Sequence, residues 1–150
     1  MIRIERTTYQ NEDFPNLVAK LDAYLSDTDG DEHDFYHQYN GIENLNQVVV
    51  AYLNEVPVGC GAIKEFNPTA MEVKRMYVSP ETRGQGIATR ILTELEKWAE
   101  ESGYKSCILE TGKRQPEAIA LYQKSNYQVI PNYGQYVGME NSVCFKKDLT

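Results

Sequence analysis

Residues 71–89 read MEVKRMYVSPETRGQGIAT, and the rest of the chain is organised around them. Met71 to Val78 is rich in long apolar and β-branched residues and predicts a strand. Ser79-Pro80 ends it, because proline has no N–H to give to a ladder. From Ile87 to about Ser102, the positions Ile87, Ile91, Leu92, Leu95, Trp98 and Ala99 recur at helical spacing. The stretch is a strand, a glycine-containing turn and a helix. The first amides of a helix have no internal partner, and the helix dipole makes them partly positive. Gly84 and Gly86 let a bulky anion approach the backbone. Such a turn is a natural seat for phosphate or pyrophosphate.

Motif spacing narrows the ligand. A P-loop needs a Lys-Ser/Thr pair after its last glycine, and the residues after Gly86 do not supply one. A dinucleotide fingerprint starts at Gly84-x-Gly86, but Thr89 stands where its third small residue belongs. What remains is Arg83-Gly84-Gln85-Gly86-Ile87-Ala88, or R-x-x-G-x-A. This resembles the pyrophosphate loop, Q/R-x-x-G-x-G/A, of the GNAT superfamily of acetyl-coenzyme A-dependent N-acetyltransferases.

With 150 residues, the chain suits one domain, residues 1–150, around a single sizeable core. Its 41% hydrophobic and 25% charged residues fit an ordinary soluble protein. No apolar run approaches the ~20 residues of a membrane span. The N-terminus MIRIERTTYQ lacks a signal-peptide core, so the default location is the cytoplasm. A net charge of −7 argues against nucleic acid or anionic membrane as partner, and mildly for a small or cationic acceptor. Cys60, Cys107 and Cys144 lie in or beside apolar runs and read as reduced core thiols. A catalytic cysteine would want a histidine, and His33 and His37 both sit in a polar early segment.

Ile2 to Thr8 alternates as a half-buried strand. Asn11 is placed to cap a helix running to about Leu25, with Phe14, Leu17, Val18, Leu21 and Leu25 on one face. Asp27 to Asp34 reads as an acidic loop. Its carboxylates do not fall in the register of a calcium loop, so no metal is expected. His33 to Tyr39 reads as a short helix. Gln47 to Leu53 and Val56 to Lys64 form a hairpin about Asn54-Glu55, with Gly59 and Gly61 marking a bulge or close packing. Asn67-Pro68 turns the chain into the central strand. Lys105 to Glu110 is a buried strand, parallel to the central one after the helical crossover. Gln115 to Ser125 is a second amphipathic helix with Pro116 in its first turn and Asn126 in the left-handed position after it. Strands at Tyr127 to Ile130 and Ser142 to Lys147 flank a loop rich in Tyr and Gly.

The order β-α-α-β-β-β-α-β-α-β-β matches the GNAT architecture over essentially the whole chain. That implies an α/β fold with a mixed central sheet of about six to seven strands flanked by helices. A second local match lies at Gln115-Pro116-Glu117-Ala118-Ile119-Ala120-Leu121-Tyr122 through Tyr127, similar to the family's N-x-x-A-I-x-L-Y…G-[FY] stretch. Gln115 replaces the usual Asn, which keeps the amide and adds a methylene. Asn126 replaces the usual Gly and is the next-best left-handed residue.

The resemblance implies roles. Backbone amides of Gln85 to Thr89, spanning Gly86, Ile87 and Ala88, would hold the diphosphate of acetyl-CoA, with Arg83 and Gly84 fixing the turn. Met76, Tyr77 and Val78 would hydrogen-bond the pantetheine arm where the central strand splays from Ile108–Thr111, and Gln115 would touch it. One amide there, of Tyr77 or Val78, would face the oxyanion. Tyr122 would protonate the departing thiolate, since a phenol of pKa about 10 stays protonated at neutral pH. Glu72 would be the general base, because some histone-acetylating relatives carry a strand glutamate at the same interval before the loop. A free carboxylate, of pKa about 4.3, is a weak base unless burial or a water relay assists it. The acceptor pocket would draw on Tyr24, Asp29, Asp31, Arg75, Thr111, Tyr133 and Tyr136. Arg75 suits an acceptor carboxylate and Asp29 with Asp31 a cation.

The expected function is direct acetyl transfer from acetyl-CoA to a primary amine, foremost a small polar amine or amino acid. Two rivals use the same loop: a non-catalytic acyl-CoA sensor or scaffold, and a nucleotide-binding module. An exposed hairpin and C-terminal strand would offer surfaces for a homodimer.

Overall fold

A computed structural model describes residues 1–29 and 41–149. Seven strands form one sheet: β1 (Ile2–Thr7), β2 (Gln47–Leu53), β3 (Val56–Asn67), β4 (Ala70–Val78), β5 (Ser106–Gly112), β6 (Gln128–Ile130) and β7 (Ser142–Asp148). Their spatial order is β1-β2-β3-β4-β5-β7-β6. Among the described strands only β4 and β5 pair in parallel, and the other pairs are antiparallel. The α-helices among the described residues are α1 (Asp13–Asp29), α2 (Ile87–Glu101) and α3 (Pro116–Lys124). None of the described helices is long and apolar enough to cross a membrane.

The unbroken apolar run of β2 has a simple cause. Val48, Val50 and Tyr52 point to α1, where they meet Phe14, Leu17, Val18 and Leu21. Val49 and Ala51 point the other way and join the α2 residues Ile87, Ile91, Leu92, Leu95 and Ala99. A strand covered on both faces has no polar face to show. The second core also takes in Met71 and Val73 of β4, Leu109 of β5, Tyr122 of α3 and Phe145 of β7. The three cysteines are free and buried, and burial pushes the thiols of Cys60 and Cys107 up to about 12.

The turns follow their residues. Asn54 and Glu55 both have positive φ, as a two-residue hairpin twisted with its strands requires. Asn67 Oδ1 accepts from the amides of Thr69 (2.9 Å) and Ala70 (2.8 Å), which closes the β3–β4 turn. Asn11 Oδ1 accepts from Asp13 (2.8 Å) and Phe14 (3.1 Å) at the start of α1.

Three expectations change. Helix α1 runs past Leu25 to Asp29, so it absorbs the start of the predicted acidic loop; nothing from Ser26 to Asp29 stops a helix before Gly30. Strand β3 continues to Asn67, because β4 pairs its polar end through Glu65↔Met71. The C-terminal strand is not an edge: β7 lies between β5 and β6, which leaves β1 and β6 at the margins. Gly30, Asp31, His33, His37 and the short helix expected at His33–Tyr39 lie outside the described residues.

Candidate active site

The site begins where β4 leaves β5. Parallel pairing covers only Ala70↔Ser106, Met71↔Cys107 and Glu72↔Ile108. From Val73 to Val78 no ladder pair joins β4 to β5, while β5 stays paired with β7 as far as Gly112. Backbone groups facing such a gap need partners from elsewhere. A cleft of about 550 Å³ occupies it.

A bulge lies in the splayed segment of β4. Cys60 pairs with Tyr77 but Ala62 with Lys74, so β4 carries one extra residue opposite Gly61. Arg75 takes up the irregularity with φ +59°, unusual for a non-glycine residue in a strand. Its buried side chain forms an ion pair with Asp22 of α1, and its carbonyl accepts from the Cys60 thiol at 3.4 Å. The other chain feature at the bulge is close packing from β3. A Cβ on Gly61 would meet the Met76 sulfur at 2.5 Å and Leu95 at 2.9 Å. The expectation of a bulge or close approach at these glycines holds on both counts.

Beyond β4 the chain makes a single 3₁₀ turn, Pro80–Thr82, pinned at both ends. Ser79 donates its amide to Val58 O at 2.7 Å. Thr82 Oγ1 donates to Ser79 O at 2.9 Å, and Arg83 Nε donates to Val78 O at 3.3 Å. Arg83 thus ties the turn to the strand end, and its guanidinium lies 6.0 Å from the Tyr24 ring centre. Gly84 (φ +83°) and Gly86 (φ +77°) are both left-handed, and a Cβ on either would meet nothing within 4 Å. Gly86 is the N-cap of α2, and no side chain caps that helix start. The amides of Ile87, Ala88 and Thr89 therefore begin α2 beside open space, and all three residues line the cleft.

The opposite wall comes from β5 and α3. Thr111, Gly112, Gln115 and Tyr122 line it, together with Glu110. Helix α3 ends as predicted at Asn126 (φ +74°): Tyr127 N–H reaches Tyr122 O at 2.9 Å, and Asn126 N–H reaches Gln123 O at 3.2 Å. That closure fixes Tyr122, which packs edge-on to Tyr127 (5.7 Å) and tilted against Phe145 (5.9 Å). Burial pushes the Tyr122 phenol well above its ordinary value, and Glu110 adds to this.

A charged group gathers on the α1 side. The Tyr133 hydroxyl donates to Glu72 Oε2 at 2.6 Å, and Lys74 Nζ lies 3.8 Å from Glu72 Oε1. Tyr136 packs edge-on to Tyr133 at 5.7 Å. Burial raises the phenols of Tyr133 and Tyr136, with Glu72 reinforcing the first and Glu110 and Glu72 the second. Burial lowers the Lys74 ammonium against the pull of Glu72.

Of the residues singled out from sequence, Tyr24, Glu72, Arg75, Met76, Tyr77, Val78, Arg83, Gly84, Gly86, Ile87, Ala88, Thr89, Thr111, Gln115, Tyr122 and Tyr136 line this one cleft. Gln85 is exposed and lies off its wall; Tyr133 stands behind Glu72. The Asp29 side chain is outside what the structure describes. Sequence reasoning overlooked Lys74, Glu110 and Asp22 as site residues. Lys74 had a signal, since the two-residue strand period puts it on the face of Glu72. So did Glu110, a carboxylate in an otherwise buried run. Asp22 had none, because only helix packing brings it to Arg75.

A splayed parallel pair over an uncapped glycine-led helix start is the architecture of an acyl-CoA acyltransferase. The family model described as "Acetyltransferase (GNAT) family" matches residues 8–127, and the chain is an acyltransferase that belongs to this family. An IAA acetyltransferase of Azospirillum brasilense is 32% identical over 137 residues, 90% of each chain. Among solved structures, a Klebsiella pneumoniae protein named for acyl-CoA N-acyltransferase activity aligns with TM-score 0.84 and 28% identity, over 100% of this chain and 99% of that one. A GNAT acetyltransferase of Elizabethkingia anophelis, solved with acetyl-CoA bound, shares the fold at TM-score 0.68 and 18% identity, over 98% and 97% of the chains.

Proposed function

We propose that residues 1–150 form one N-acetyltransferase domain that moves the acetyl group of acetyl-CoA directly to a primary amine, with no covalent enzyme intermediate. One observation carries the reading. The unpaired stretch of β4 and the bare start of α2 line one cleft together with Tyr122 and Glu72. A diphosphate would sit on the amides of Ile87 to Thr89, with Gln85 and Gly86 completing the loop and Arg83 and Gly84 holding its shape. The pantetheine arm would run as a pseudo-strand along Met76–Val78, with Gln115 beside it. The thioester would then lie near the bulge and Tyr122.

Tyr122 donates the proton to the leaving thiolate, and burial keeps its phenol protonated over the working pH range. Glu72 takes the proton of the incoming ammonium, directly or through water, while Tyr133 holds its carboxylate in place. Tyr24, Arg75, Thr111 and Tyr136 face the acceptor. Arg75 pairs with Asp22 through Nη2 and keeps a buried Nε with no hydrogen-bond partner, a donor that an anionic group on the acceptor would satisfy. Small polar amines and amino acids are the acceptor class; the name of the Azospirillum relative adds IAA to the panel to be tried.

The test combines binding with turnover. Acetyl-CoA at a hundredfold excess over its Kd should stabilise the fold by about 2.7 kcal/mol in a thermal-shift assay. Equal stabilisation by ATP or NAD would point to a nucleotide module instead. Free thiol should appear when an amine library is added. Binding without thiol release across the library would make the protein a sensor.

A further inference from the structure

Two lysines among the described residues line the cleft, Lys74 and Lys124. They differ in setting. Lys124 is exposed in the last turn of α3. The Lys74 side chain is only 10% exposed. It sits on β4 two residues beyond the last pair with β5, in the segment that borders the gap. Its Nζ is 3.8 Å from a Glu72 oxygen. Burial disfavours its ammonium form; Lys64 and Arg75 act in the same direction, and Glu72 and Glu110 oppose them. An incoming amine must meet the same conditions before it attacks a thioester. It must be inside the cleft and beside a carboxylate that can take its proton.

We propose that Lys74 is an internal acceptor, and that the protein acetylates its own Lys74 when acetyl-CoA fills the cleft. The inference rests on the acetyl-CoA site proposed above. Lys74 Nζ, as the free amine, attacks the thioester carbonyl carbon and forms a C–N bond. The tetrahedral intermediate collapses with cleavage of the C–S bond. Nζ gives up one proton to Glu72, the leaving thiolate takes one from Tyr122, and the proton on Glu72 returns to the phenolate through water, so that both residues end as they began. Thioester and amine become amide and thiol, with no other reactant. The product replaces a cation beside Glu72 with a neutral acetamide, which fills part of the acceptor side and deletes the ion pair.

The full chain is incubated with acetyl-CoA and no added amine, and its intact mass and proteolytic peptides are followed with time. A thermal-shift measurement on the same samples reports binding. We expect one acetyl group, mapped to Lys74 and added at least about tenfold faster than at Lys124, because a bound thioester has a high effective concentration. Lys74→Arg should lose that fast modification, and heat-unfolded protein should lose the preference for Lys74. Stabilisation by acetyl-CoA with Lys74 unmodified, or modified no faster than Lys124, overturns the inference and leaves the proposed function standing. Equal labelling of Lys74 in unfolded protein also overturns it. Absence of any stabilisation by acetyl-CoA overturns both.

Discussion

Gly59 and Gly61 occupy alternate positions of β3 under the same helix, yet an added methyl should have different consequences at each. At Gly61, a Cβ would meet Met76 Sδ at 2.5 Å, Leu95 Cδ1 at 2.9 Å and Ile91 Cγ2 at 3.0 Å. The nearest two are the ends of flexible side chains, and a thioether can swing aside. At Gly59, a Cβ would meet Ile91 Cδ1 at 2.9 Å and the Tyr77 carbonyl oxygen, also at 2.9 Å. That oxygen belongs to β4 and can yield only if the strand moves. Overpacking costs ~1–3 kcal/mol, and replacing a strand glycine returns ~0.5–1 kcal/mol of unfolded-state entropy. Gly61→Ala should therefore cost about 0–1 kcal/mol net, and Gly59→Ala about 1–2 kcal/mol. For a chain of this size the latter lowers Tm by roughly 2–8 °C. Urea and thermal melts of the two variants give the comparison. The site adds a second readout: Tyr77 and Val78 border the gap, so Gly59→Ala, which must move the strand itself, should raise KM for acetyl-CoA more than Gly61→Ala, which displaces the Met76 side chain. Equal costs, or a larger cost at Gly61, would refute the reasoning that backbone yields less readily than side-chain tips.

Tyr122→Phe should lower kcat by about a hundredfold, the range of a lost general acid, with acetyl-CoA affinity little changed; an unchanged kcat would remove Tyr122 from the chemistry. The buried phenols give a pH dependence with a definite sign. Tyr122, Tyr127, Tyr133 and Tyr136 are all raised, burial being the largest cause in each. The folded state therefore holds their protons more tightly than the unfolded chain, in which tyrosine titrates near pKa 10. Their stabilising contribution is complete below about pH 10 and is lost as pH rises toward the folded values. An absorbance titration should show these four phenols ionising above the ordinary tyrosine range, and only with loss of fold. Ionisation of all of them together near pH 10 with the fold intact would contradict the burial seen here.

What the sequence made legible is what short stretches decide for themselves. The Asn11 cap, the Asn67 turn and the Asn126 helix end each depend on hydrogen bonds spanning no more than five residues. The loop from Arg83 to Thr89 is of this kind, because a strand end, a left-handed glycine and a helix start are contiguous in the chain. Long-range pairing is another matter. Nothing in Ser142–Lys147 says that it slides between β5 and β6 and so leaves the margin of the sheet; that depends on Ser106–Gly112 being free on one side once β4 diverges. Positive φ at Arg75 is equally hidden, since arginine carries no left-handed preference and the bulge is forced by the register between β3 and β4.

The same division runs through the site and explains why its two halves read so differently. The half proposed to hold the donor presents backbone: amides at the start of α2 and the unpaired edge of β4. Backbone groups are the same in every sequence, so a few glycines and a helix period suffice to reveal them. The half proposed to face the acceptor presents side chains from four separate elements: Asp22 and Tyr24 of α1, Glu72, Lys74 and Arg75 of β4, Glu110 of β5, and Tyr133 and Tyr136 of the loop before β7. Each alone reads as a surface charge or a packing tyrosine. Only the fold turns Glu72, Lys74 and Tyr133 into one hydrogen-bonded and ion-paired cluster, with the carboxylate held on both oxygens. A specificity that arises from such convergence follows the spacing of the elements as much as the identity of the residues. Acceptor preference should therefore respond to changes in packing under β4, such as Gly59→Ala, as well as to changes in the pocket itself.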